Sequence, residues 1–223
     1  MLTWASASVS HSQTIHPSAD LFPSADEVIR VFSEQDSMKQ RTFPSSANHI
    51  TIGQNKNEPP IAGVTEVAKI GDQFLVLDQK SNEVKVYSET GEYMYAFGRP
   101  GQGPGELKVP EDMARDHQGR IWVADADRSI SVFSKQNGRY KALRTFSVDK
   151  NPQGICVIGE SLYVYGFSPS KKARHPITEY SFEGDRGRTF GSAYESEHPA
   201  VSNRLSEISS MTCREDGKVI LQY

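Results

Sequence analysis

The sequence predicts an all-β fold of small four-stranded antiparallel sheets repeated along the chain, and three observations lead to it. One three-strand pattern occurs twice: FLVLD (74–78), VKVY (84–87) and YMYAF (93–97), then IWVAD (121–125), ISVF (130–133) and ALRTF (142–146). The residues that close successive units, Ile52, Phe97, Phe146 and Phe190, are 45, 49 and 44 positions apart. Between the two copies lies a glycine-rich connector, GRPGQGPGEL, at residues 98–107. A period of 40–50 residues with four short strands each is the signature of propeller blades. Such a sheet is twisted and apolar on both faces, so it is stable only when stacked on its neighbours.

In chain order, residues 1–48 are rich in Ser, Pro, His and Asp and read as a largely irregular leader, with the small residues of an export-signal remnant at 1–10. Within the leader, 25–33 is a short helix or strand. The sheet domain is expected over 49–223. The first strand, 49–53, ends in Ile52-Gly53 as later units end in Phe97-Gly98 and Phe190-Gly191, and reads as a ring-closing outer strand. The first full unit has strands at 64–70, 74–77, 84–87 and 93–97, with a glycine turn at Gly91. The second spans 110–146, with turns at 116–119 and at Asn137-Gly138, a strong hairpin signal. The third spans 154–191, with a long connection at 166–175 that contains the basic run 171–175. A fourth unit starts at 208 and reaches its second strand at 219–223. The expectation is about three and a half blades and a closing strand, from a ring of six.

Composition narrows the function. Net charge is −3, with 25 Lys and Arg against 28 Asp and Glu. Nucleic-acid binding wants a basic face, so it is not expected. No apolar run approaches the ~18 residues of a membrane span. Cys156 and Cys213 each fall six residues before the first apolar residue of a strand, so they occupy one repeat position in successive units. Equivalent positions in neighbouring sheets are expected to lie too far apart for a bridge, leaving two small buried residues on an inner strand.

The connector, followed by Pro110 and then DHQGRIWVAD (116–125), resembles bacterial six-bladed β-propeller proteins akin to NHL-repeat proteins. The resemblance covers roughly 49–223. In that group a G-R-x-G-x-G-P-G-E-(F/L) connector precedes a D-x-x-G-(R/K)-(I/L)-x-V-x-D strand pair. The chain departs from the group's D-x-x-N-x-R-I motif: Glu83 stands where Arg is usual, the second unit is one residue shorter, and Gly166 replaces the Asp in the third. The resemblance implies a rigid scaffold, often exported or lipid-anchored, that presents one face to a partner.

The candidate positions are structural ones: Asp78 and Asp125, which end their strands, and Gly98, Gly101, Gly103, Pro104, Gly105 and Glu106 of the connector. Aspartate at a strand end commonly accepts N–H bonds from the following turn. A phosphate loop needs a strand before it and a helix N-terminus after it, whereas here Pro104 interrupts the glycines and a strand follows. Asp116, Asp125 and Asp127 lack the spacing of a calcium loop. Histidines 11, 16, 49, 117, 175 and 198 form no zinc motif, and there is no nucleophile elbow. The reading is a non-enzymatic binding propeller outside the cytoplasm, without metal or cofactor. Its ligand would be a protein, peptide or glycan. The alternative is a lactonase-like hydrolase or lyase with a metal in the channel.

Overall fold

The computed structural model describes residues 27–31, 48–53, 55–167, 176–191, 210–213 and 219–222, all strand, turn or loop. The export-signal stretch at 1–10 and the basic run 171–175 lie outside the described residues. Contacts divide the chain into two compact units, residues 1–100 and 101–223.

The first unit holds β1 (Glu27–Val31), β2 (Asn48–Ile52) and a four-stranded sheet of β3 (Val64–Ile70), β4 (Gln73–Asp78), β5 (Glu83–Ser88) and β6 (Tyr93–Phe97) in the order β3-β4-β5-β6. β4 is buried along almost its whole length, so both faces of this sheet are covered. One face packs Phe74, Val76 and Tyr87 against Ile61 and Ile52, with Ile50 and Tyr93 at the margin. Gly91 takes a φ of 86° in the β5–β6 turn, and a Cβ there would come within 2.4 Å of the Thr51 carbonyl oxygen. The stretch 49–53, expected as an outer strand, is β2. It pairs in parallel with β1, from Glu27↔Asn48 to Val31↔Ile52.

The second unit holds two more sheets of the same order. β7 (Pro110–Arg115), β8 (Ile121–Asp125), β9 (Ser129–Gln136) and β10 (Arg139–Ser147) form one. β11 (Asn151–Ile158), β12 (Ser161–Phe167), β13 (Ile177–Ser181) and β14 (Arg186–Phe190) form the other. A two-stranded sheet of β15 (Ser210–Cys213) and β16 (Val219–Gln222) follows. The core between the second and third sheets contains Trp122, Ile130 and Val132 from one and Leu162, Val164 and Tyr180 from the other. The β9–β10 turn uses Asn137 (φ 50°) and Gly138 (φ 79°), the two successive positive φ values of a type I′ turn.

The first strand of each full sheet carries a bulge at the same register: between Val64 and Glu66, between Pro110 and Asp112, and between Pro152 and Gly154. In the second unit β7 lies beside β11, and β11 beside β15. This overturns the expectation for the cysteines. Cys156 and Cys213 form a disulfide with a Cα–Cα distance of 5.9 Å, within the bridging range. The first strands of successive sheets run side by side, so equivalent positions on them come close.

Candidate functional site

Pairing register aligns the three full sheets residue by residue, and the alignment shows what each polar side chain does. Asp78 and Asp125 occupy one position, at the end of the second strand. Both are buried. Asp78 accepts from Ala62 N at 2.9 Å and Gly63 N at 2.8 Å. Asp125 accepts from Lys108 N at 2.5 Å and Val109 N at 2.9 Å. These bonds reach back to the connector that enters the sheet. Longer ones, from Ser81 N at 3.4 Å and Asp127 N at 3.3 Å, go to the following turn, where the sequence pattern placed them. The carboxylate therefore clips the chain to its sheet at the point of entry.

The Gly98–Leu107 connector is locked by its own glutamate. Gly98 takes a φ of 72° directly after β6. Within 101–107, the Glu106 carboxylate accepts from Gln102 N at 3.0 Å and Gly103 N at 2.9 Å. Gly101 N donates to Leu107 O at 3.0 Å, which closes the loop across Pro104. A Cβ on Gly101 would sit 1.9 Å from Glu106 Oε2, and one on Gly105 would sit 2.2 Å from Ala142 Cβ. Gly105 N donates to Thr145 Oγ1 at 3.1 Å, and Leu107 is fully buried. Each backbone N–H named here already has a protein acceptor.

A second repeated position was not visible in the sequence. Lys85, Ser131 and Thr178 are equivalent on the third strands, and all three are buried. Lys85 Nζ bonds Asp78, Ser81 Oγ at 2.9 Å and Glu83 at 3.2 Å, so all three of its protons are used. Burial alone would raise the Asp78 pKa, but Lys85 and the N–H donors outweigh it and the carboxyl sits below its ordinary value. Lys85 thus supplies a cation two residues beyond Glu83, the place where an arginine would be usual. Ser131 Oγ bonds Thr145 Oγ1 at 2.9 Å. Thr178 Oγ1 has no protein partner.

The third sheet departs from the pattern at its entrance. Gly166 stands at the Asp position, and a Cβ there would meet the Asn151 carbonyl oxygen at 2.0 Å. Asp149 stands where Ile61 and Leu107 fill the core in the other two sheets. Its carboxylate accepts from the Tyr180 hydroxyl and from Arg186 Nε at 2.9 Å, while its own N–H donates to the Tyr180 oxygen at 3.1 Å. The carboxylate has moved from the strand end to the connector. Lys150, beside it, is buried and donates to Pro176 O at 3.0 Å, an oxygen that also accepts from Gly166 N. Burial pulls the Lys150 pKa down to about 8, against the opposing pull of Asp149. Departures from a repeat mark positions under a second constraint, and this entrance is the clearest one among the described residues.

Two further carboxylates are also engaged. Asp112 bridges neighbouring first strands, accepting from Ile155 N at 2.7 Å and Met113 N at 2.9 Å. Asp116 accepts from Gln118 N, Arg120 N and Trp122 Nε1 and pairs with Arg120. The Arg120 guanidinium lies over the rings of Phe182 and Trp122. Among the described residues no group of three or more His, Cys, Asp or Glu is placed to hold a metal ion. No described helix is long and apolar enough to cross a membrane.

The signature of a family described as a 6-bladed beta-propeller matches residues 27–213. The chain belongs to this family. Among solved structures, a Bacteroides fragilis protein described as a candidate exported protein aligns over 75% of this chain and 48% of its own, with 15% identity and a TM-score of 0.55. A Bacteroides uniformis protein described as a candidate 6-phosphogluconolactonase aligns over 73% and 50%, with 17% identity and a TM-score of 0.51. Both likenesses concern the fold. This chain spans about half the length of the solved propellers it matches. Comparison with the curated proteins finds no match.

Proposed function

We propose that this propeller is a non-enzymatic binding scaffold acting outside the cytoplasm, and that it presents one face to a protein, peptide or glycan. The supporting observation is where the carboxylates go. Asp78, Asp112, Asp116, Asp125 and Glu106 each accept backbone N–H bonds that hold connectors, turns or neighbouring strands in place. A channel enzyme needs some of these groups turned toward substrate or metal. Here they fix the loops that such a scaffold would display.

The Cys156–Cys213 disulfide supports the compartment. Structural disulfides persist in the periplasm and at cell surfaces and are reduced in most cytosols. The B. fragilis structural neighbour is itself described as a candidate exported protein.

The test pairs binding with chemistry. The full chain is dialysed, its metal content measured, and arrays of peptides and glycans screened against it. Saturable binding is expected from at least one ligand, recovered with unchanged mass. Tightly held stoichiometric metal together with lactone hydrolysis abolished by a chelator would replace this reading with the enzymatic one.

A further inference from the structure

The outer hairpins of the three sheets hold equivalent places, yet one differs in charge and reach. Residues 83–97 carry Glu83, Glu89 and Glu92 against Lys85. Residues 177–190 carry Glu179, Glu183 and Asp185 against Arg186 and Arg188. Residues 129–147 carry Lys135, Arg139, Lys141 and Arg144 and no carboxylate, in a chain of net negative charge. This hairpin is also the longest: β10 has nine residues where β6 and β14 have five. The added pairs, Arg139↔Gln136 and Tyr140↔Lys135, lie next to the turn.

Register places the cations. Arg139, Lys141 and Arg144 lie opposite Gln136, Ser134 and Val132, which are two apart on β9 and share a face. The bulge between Ala142 and Arg144 keeps Arg144 on that face despite its odd spacing, and sets Leu143 outward, half exposed. Arg139 and Lys141 are exposed. Arg144 is held in place, its guanidinium over the Trp122 and Phe146 rings. β10 ends the order of its sheet, so its outer edge adjoins no further strand of that sheet.

We infer that the β9–β10 hairpin is a docking edge for an acidic, extended polypeptide segment, which adds to β10 as a further strand. This rests on the binding-scaffold reading and gives that scaffold one class of partner. An added strand would satisfy outward backbone groups of β10, the source of affinity in strand addition. Carboxylates at alternate positions of that strand fall about 7 Å apart, the spacing of Arg139 and Lys141. The residue between them falls on the opposite face, in register with Tyr140, where an apolar side chain fits. Lysines on an edge strand also discourage edge-to-edge pairing between copies. An acidic strand is the partner such an edge still admits, because its charge is complementary.

The test uses the full chain and a labelled nine-residue peptide of alternating Asp and Val, followed by fluorescence anisotropy. Three comparison ligands are the Asn-for-Asp peptide, the same acidic peptide N-methylated at alternate residues, and a heparin fragment of equal charge. The acidic peptide should bind, and the Asn and N-methylated peptides should bind about tenfold more weakly or not at all. The double variant R139E/K141E should weaken the acidic peptide by at least about tenfold, and K56E, on an exposed lysine of the first unit, should leave it unchanged. An unchanged melting temperature for R139E/K141E shows that the fold is intact; if that variant is destabilised, R139Q/K141Q serves in its place. Failure of the acidic peptide to bind, or equal binding by the N-methylated peptide, overturns the strand-addition proposal. Preference for heparin would make the hairpin a polysaccharide site instead, and also overturns it. If ligands found in the array screen bind R139E/K141E as well as they bind the natural chain, the scaffold reading survives and the hairpin proposal fails.

Discussion

At Asp125 two backbone N–H groups depend on one buried side chain. An alanine there leaves Lys108 N and Val109 N without their acceptor; both residues are exposed, so water replaces part of what each bond to the carboxylate contributes, about 1 kcal/mol net each. Urea denaturation of Asp125→Ala should therefore show a loss of about 2 kcal/mol. Thr178 gives the opposite sign. Its hydroxyl is buried without a protein partner, so Thr178→Val removes a desolvation cost and should stabilise by about 1 kcal/mol. Lys150 sets a pH dependence. Its folded pKa, about 8, is below the ordinary 10.5, so between those values the unfolded chain binds more protons. Stability should rise with pH from about 8 toward 10.5 on this account, and Lys150→Met should flatten the slope of the denaturation midpoint. The sequence pattern singled out Asp78 and Asp125 but not Lys85, Asp149 or Lys150. A buried cation between apolar neighbours reads as a solvated residue until register shows what it faces. The swap of Gly166 for Asp with Asp149 for Leu is a pair of changes 17 residues apart, which only pairing brings together.

Elements are governed here by backbone geometry, and two glycines separate its causes. Gly105 and Gly138 have nearly the same φ, 74° and 79°. Around Gly138 a Cβ would meet nothing within 4 Å, while at Gly105 it would meet Ala142 Cβ at 2.2 Å. Gly138→Ala should cost only the left-handed backbone penalty, about 1 kcal/mol. Gly105→Ala adds steric overlap of about 1–3 kcal/mol and strains the bond to Thr145, so its loss should be clearly larger. Thermal melts of the two single variants make the comparison directly. The strands were legible because Val, Ile, Leu and aromatic residues alternate with turn residues at a fixed period. β3 and β6 coincide with the strands expected at 64–70 and 93–97. The parallel pairing of β2 with β1 was not legible, since the 16 residues between them carry no periodic signal.

For the chain as a whole the disulfide is the long-range covalent constraint, and the expectation that its cysteines lie too far apart fails because their strands run side by side. Among the described residues of the second unit, β11 lies beside β7 and β15. Cys156 and Cys213 are 57 residues apart and join β11 to β15. Closing a loop of that length removes conformational freedom from the unfolded chain worth about 4 kcal/mol in the chain-entropy account. Because the sulfurs bridge two sheets instead of two points on one, reduction should act first on the register of β15–β16 against β11. Cys156→Ser, Cys213→Ser and the double variant should show the same loss, about 2–4 kcal/mol, since either change removes the whole bridge. Hydrogen exchange of β15 and β16 should rise further than that of β7 or β8. Equal protection in the oxidised and reduced chains, with unchanged denaturation midpoints, would mean that side-chain packing alone holds the fourth sheet against the third.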